Sequence, residues 1–131
     1  MAGIYPCDNV DLMSTISLSE LGGVQNMNDI WGWTDSDSGR EFALIGMRNG
    51  TSFVEVTDPV NPLVIGFLAT ATTNSLWRDV KVFNDYAFVV SEAGGHGMQV
   101  FDLAELLIDY DEYPVVFEQS AYYDLFGRAH N

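Results

Sequence analysis

Two stretches of this chain can be laid over each other without a gap, and that self-similarity limits the fold more than any other feature. Residues Ala43–Asp58 align with Ala87–Asp102, sixteen residues in each copy and forty-four positions apart. Both copies follow the order strand, Gly-containing turn, strand, Asp. Asn49-Gly50 predicts a tight hairpin turn, because both central residues of the favoured turn need positive φ. Gly94-Gly95 is its counterpart in the second copy.

The match continues on both sides. Asp29-Ile30-Trp31-Gly32-Trp33 faces Asp79-Val80-Lys81-Val82-Phe83, fifty positions on, with the alternation of a half-buried strand. The offset differs because the first copy has the longer hairpin loop, Asp35-Ser36-Asp37-Ser38-Gly39. Pro62-Leu63-Val64-Ile65-Gly66 faces Pro114-Val115-Val116-Phe117-Glu118, and Arg78-Asp79 faces His130-Asn131. Four short antiparallel strands in a unit of about 40–50 residues is the pattern of a β-propeller blade. Period two and strands rich in Val, Ile, Phe and Tyr argue against helical repeats, and only Leu103–Ile108 hints at a helical turn. The expected fold is all-β and propeller-like: a segment 1–26, a first blade over 27–77, and a second blade with the start of a third over 78–131. A single β-sandwich with chance similarity is the alternative. Asp11–Leu18 falls where the fourth strand of a neighbouring or closing blade would lie. Two blades cannot close a ring, so the sequence is expected to be a piece of a larger one, with raw blade flanks that favour self-association.

The balance of 19 Asp and Glu against 5 Lys and Arg, a net charge of −14, disfavours a nucleic-acid partner. It suits cation binding or simply solvation. No apolar run is long enough for a membrane span, and Met1–Cys7 has neither the basic start nor the apolar stretch of an export signal. Cys7 is the single cysteine; it is read either as a buried free thiol or as half of a bridge with an upstream partner.

The stretches Tyr5–Leu12, Asn28–Trp33, Asn49–Pro59, Trp77–Val82, Ser91–Leu103 and Ala129–Asn131 together resemble the choice-of-anchor B family of secreted bacterial proteins with LVIVD-type propeller repeats. Pro62–Gly66 is similar to the apolar repeat core. The resemblance implies an exported, cell-surface-associated propeller, with no catalytic residues to carry over. It also implies that Cys7 pairs with an upstream cysteine in complete relatives.

Several residues are candidates for chemistry. Asp35 and Asp37 before Gly39, with Glu41 nearby, resemble the start of a calcium loop; Gly46 stands where that loop wants its Glu, and a polar hairpin tip is the favoured reading of the residues. Calcium is therefore the one cofactor considered. His96 and His130 are the only histidines; with Asp79 or Glu92 they are weighed as a transition-metal site, against local hydrogen bonding. Asn28-Asp29, Arg78-Asp79 and His130-Asn131 recur at the openings of inner strands, where they would line a ligand mouth or cap backbone amides between blades. Trp31, Trp33 and Trp77 either pack between blades or stack on a sugar. Gly-x-Ser-x-Gly is absent, and Ser91, Glu92 and His96 share one hairpin, which is poor geometry for a triad. The expected function is therefore a non-enzymatic module binding a protein or glycan ligand. A propeller enzyme with its site at the channel mouth or in other blades, such as a hydrolase, and a calcium-stiffened scaffold are the alternatives.

Overall fold

The computed structural model describes residues 8–130; Cys7 and Asn131 lie outside them. The fold is all-β, built from two sheets. The first contains β1 (Met27–Thr34), β2 (Glu41–Met47), β3 (Gly50–Glu55), β4 (Leu63–Ala69) and β8 (Val115–Phe117), in the order β1-β2-β3-β4-β8. The second contains β5 (Arg78–Phe83), β6 (Tyr86–Ser91), β7 (Met98–Asp102) and β9 (Ala121–Tyr123), in that order. Neither sheet closes on itself. A short 3₁₀ helix, Leu103–Leu107, follows β7 and is capped by the Asp102 carboxylate on the Ala104 amide.

The first hairpins of the two sheets share one register. Asp29 pairs with Gly46 as Asp79 pairs with Val90, and Trp33 pairs with Phe42 as Phe83 pairs with Tyr86. The repeat offsets of fifty and forty-four are thus structural. The second hairpins depart from the gapless alignment: Ala43 faces Val54, whereas Ala87 faces Phe101. The counterpart of Val54 is therefore Phe101, three residues beyond the position that the alignment gives. The extra residues lie in the β6–β7 connection, which carries His96.

Three sequence expectations need correction. The tight turn between β2 and β3 is made by Arg48-Asn49, since Met47 already faces Gly50. Gly50 is a strand residue, required because a Cβ there would run into the Leu68 carbonyl and the Phe67 ring. The turn with two positive φ values lies instead between β5 and β6, at Asn84 (47°) and Asp85 (61°). Val115–Phe117 is not the fourth strand of the second sheet: it joins the first sheet, parallel to β4, and β9 takes the expected place. The apolar Phe117 ring explains this, because it is buried against Phe53 and Phe101. Gly66 leaves β8 the room to approach, as a Cβ there would meet the Phe117 ring and the Val115 carbonyl. Finally, Asp11–Leu18 forms no strand. Ile16 and Leu18 instead pack, with the buried Leu21, on Met47 and Val54 at the far face of the first sheet.

The main core lies between the sheets. Trp33, Phe42, Leu44, Phe53, Ile65 and Leu68 of the first face Val80, Ala87, Val89 and Phe101 of the second, and Leu103, Leu106 and Phe117 close the open sides. Phe53 and Phe101 stack with centroids 4.6 Å apart, and Phe117 meets both edge-on at 5.8 and 5.0 Å. Such pairs add about 0.5–1.5 kcal/mol each beyond their burial. Polar ties fix the sheets relative to each other: Trp33 Nε1 donates to Asp85 Oδ1 (3.0 Å), and Gln99 Nε2 donates to the Ala69 carbonyl (2.9 Å). Arg40 forks onto Glu55 (3.0 and 2.7 Å) and also reaches the Leu107 carbonyl (3.2 Å).

Gly66→Ala is expected to cost about 1–3 kcal/mol, the usual range for overpacking, in urea unfolding. Amide exchange over residues 115–117 should accelerate more than exchange in β9; uniform acceleration would contradict the role given to Gly66.

Candidate functional site

The openings of β1 and β5 lie side by side, because their strands are the facing edges of the two sheets. At this end Asn28, Asp29, Trp77, Arg78, Asp79, Ala129 and His130 enclose a cavity of about 110 Å³. Five of the six residues read from the sequence as a ligand mouth are therefore gathered; the sixth, Asn131, lies outside the described residues. Trp77 joins them as a wall. The sequence weighed it between packing between blades and stacking on a sugar, and its ring lies against His130, centroids 5.7 Å apart. Ala129, at the rim, was marked in the sequence only within the Ala129–Asn131 stretch and not as a site residue.

Arg78 holds the floor. It is only 3% exposed, and no carboxylate pairs with it among the described residues. Its Nε donates to the Met47 carbonyl (2.9 Å), one terminal nitrogen to Thr70 Oγ1 (2.7 Å) and the other to His96 Nε2 (2.9 Å). Burial pushes its pKa down to about 10, so the guanidinium stays charged at neutral pH. His96, fully buried, has Nδ1 3.0 Å from the Gly97 carbonyl. A carbonyl only accepts, so Nδ1 carries the proton and Nε2 accepts from Arg78. Burial first, and then the Arg78 charge, lower the His96 pKa, which keeps the ring neutral.

Above this floor the groups are mostly acceptors. Asp29 accepts from the Val80 amide (2.8 Å) and so caps the neighbouring sheet's first strand, the architectural role weighed for it. Burial alone would raise its carboxyl, but the Val80 and Ile30 amides and the Lys81 charge hold it below the usual range. Lys81 Nζ lies 2.7 Å from Asp79 and 3.8 Å from Asp29, with its charge over the Trp31 ring. Asn28 donates to the Leu76 carbonyl, and its buried Oδ1 has no hydrogen-bond partner among the described residues. A second hollow, open and lined by Met27, Asn28, Asp29, Ile30 and Ile45, adjoins on the other side of β1.

The metal candidates are not brought together. Asp35 Oδ2 accepts from the Ser38 amide (2.7 Å) and the Ser38 hydroxyl, which lower its pKa and close the hairpin tip. Asp37 and Glu41 are exposed, and the Glu41 amide is bonded to Thr57 Oγ1. His130 Nδ1 meets Glu92 at the surface (2.7 Å), while His96 is spent on Arg78. Among the described residues no three His, Cys, Asp or Glu side chains are grouped to hold a metal ion. Ser91 Oγ donates to the Trp77 carbonyl (3.0 Å), so Ser91 and His96 do not form a nucleophile and base. Of the tryptophans, Trp33 packs in the core, and Trp31 and Trp77 are partly exposed.

Compared with known proteins, the chain matches no family model, no curated protein and no solved structure.

Two outcomes test these assignments. The unfolded state gains a proton near pH 6.5, whereas folded His96 resists it to a lower pH. Stability should therefore fall as pH drops from 7.5 to 5.5, and His96→Gln should flatten that slope in urea titrations. Asp35→Ala should lower Tm equally with calcium and with chelator, because its bonds are to Ser38; a calcium-dependent Tm in the unsubstituted chain would contradict this.

Proposed function

We propose that this chain is a non-enzymatic binding module of an exported, cell-surface-associated protein, and that its ligand contacts the cavity between the β1 and β5 openings. The observation that carries the reading is the cavity's size and chemistry. At about 110 Å³ it falls well below the roughly 300–1,000 Å³ of sites that engulf a small molecule or cofactor. It fits one protruding group of a larger ligand. Asp29 and Asp79 offer acceptors beside the Trp77 and His130 rings. That combination suits a donor-rich group: the hydroxyl edge of a sugar packed on the indole, or the ammonium tip of a protein side chain.

The resemblance to choice-of-anchor B proteins supports the exported setting and, with the shared hairpin register, a propeller-like ring as the wider assembly. The structure's own contribution is the cavity, since successive first strands bring their polar openings to one end.

Glycan and peptide arrays probed with the chain should return ligands of one of these two kinds. Trp77→Ala and Asp79→Asn, both at the cavity wall, should weaken each hit about ten- to a hundredfold, the loss of one charge-assisted or stacking contact. Hits retained at full strength by both variants would overturn the site.

A further inference from the structure

The two sheets meet through unlike faces of the same unit, and this has a consequence for the faces left over. The shared register identifies counterparts: Trp33 with Phe83, Phe42 with Tyr86, Leu44 with Phe88. In the first sheet Trp33, Phe42 and Leu44 are buried under the second. Their counterparts lie on the outer face of the second sheet, where Phe83 is 68% and Tyr86 40% exposed. The same holds in reverse. The second sheet buries Val80 and Val89 against the first. The counterparts Ile30 and Ile45 lie on the far face of the first sheet, Ile30 63% exposed, in the open hollow of about 390 Å³ that they share with Met27. The N-terminal residues Ile16, Leu18 and Leu21 cover another part of that face and leave Ile30 and Met27 open to solvent. The chain thus repeats both halves of its internal interface on opposite sides: the Phe83–Tyr86 half is open, and the other half is open along Ile30 and Met27, with the N-terminal segment seated over Val54.

We propose that this chain associates head to tail with a second copy of itself, the Phe83–Tyr86 face of one copy seated on the Ile30–Met27 face of the next. The internal contact supplies the template, including its polar tie. Asp29 accepts from the Val80 amide within the chain, and Asp79 stands in the counterpart position to accept from the Ile30 amide of the neighbour. The interface joins two different surfaces, so it does not stop at a dimer but builds a ring or an open string of copies. The net charge of −14 opposes the approach of copies, and salt screens that repulsion. The apolar contact carries the inference whatever ligand the cavity takes; Asp79 alone is shared by the two sites.

The test is light scattering on the intact chain at rising concentration and at low and moderate salt. Average mass should grow past two copies and grow further with salt. Phe83→Asp and Ile30→Asp each remove one face, and each variant alone should stay monomeric. Mixed in equal amounts they should form a one-to-one dimer and nothing larger, because each contributes its intact face. Circular dichroism confirms that the variants are folded, and Tyr86→Lys and Met27→Lys read the same two faces if either aspartate variant is not. A chain that stays monomeric throughout overturns the proposal. So does a mixture that fails to pair, which would mean like faces meet, or an Ile30→Asp variant that associates as the unsubstituted chain does.

Discussion

A flat aromatic surface pressed against a surface of smaller aliphatic side chains lies at the centre of this chain. Trp33, Phe42, Leu44 and Phe53 supply one side, and Val80, Ala87 and Val89 the other, with Phe101 and Phe117 wedged among them. Two copies of a unit that met through like faces would set ring against ring and leave gaps. Unlike faces let bulk fill hollow, as close packing demands. The hydrogen bonds between the sheets follow from that placement. Trp33 reaches Asp85 and Asp29 reaches Val80 because the aromatic face has already set the two first strands edge to edge.

The cavity inherits its rigidity from the same junction. Arg78 brings a full positive charge into the protein with no carboxylate among the described residues to pair with, which is costly unless every donor direction is used well. A carbonyl from the first sheet, a hydroxyl from the segment after β4 and the neutral His96 ring share that task. The residues on either side of Arg78, Trp77 and Asp79, are thereby held at the cavity wall by an anchored backbone. A binding group supported in this way keeps its geometry better than one on a free loop.

Much of this was legible in the sequence, and the misses have physical reasons. Alternation and the repeat gave all-β structure and the register of the first hairpins, since those depend on local patterning. Recurrence of polar residues at strand openings marked five side chains that gather around one cavity, because the first strands of the two sheets open at the same end. The Asn49-Gly50 signal misled because Gly50 is selected by the closeness of Leu68 and Phe67, not by a turn. Asn84-Asp85, the turn that does use positive φ, lacked the glycine that usually marks it. The place of β8 was hidden for a different reason: parallel pairing with β4 is a long-range choice, decided by where Phe117 can be buried. Nor could spacing show that His96 turns inward to Arg78, because that depends on the length of a connection which the alignment treated as equal.

The parallel strand β8 also stitches the chain in an order that synthesis cannot follow. The rest of the first sheet is complete at Ala69, yet its fifth strand arrives only with Val115–Phe117, after three strands of the second sheet. At roughly 5–20 residues per second, Phe53 waits several seconds for the ring that seals it. Through that interval the outer edge of β4 offers unpaired amides and carbonyls to any passing strand. Until β8 arrives, β4 is an edge strand of the kind that pairs readily with other chains.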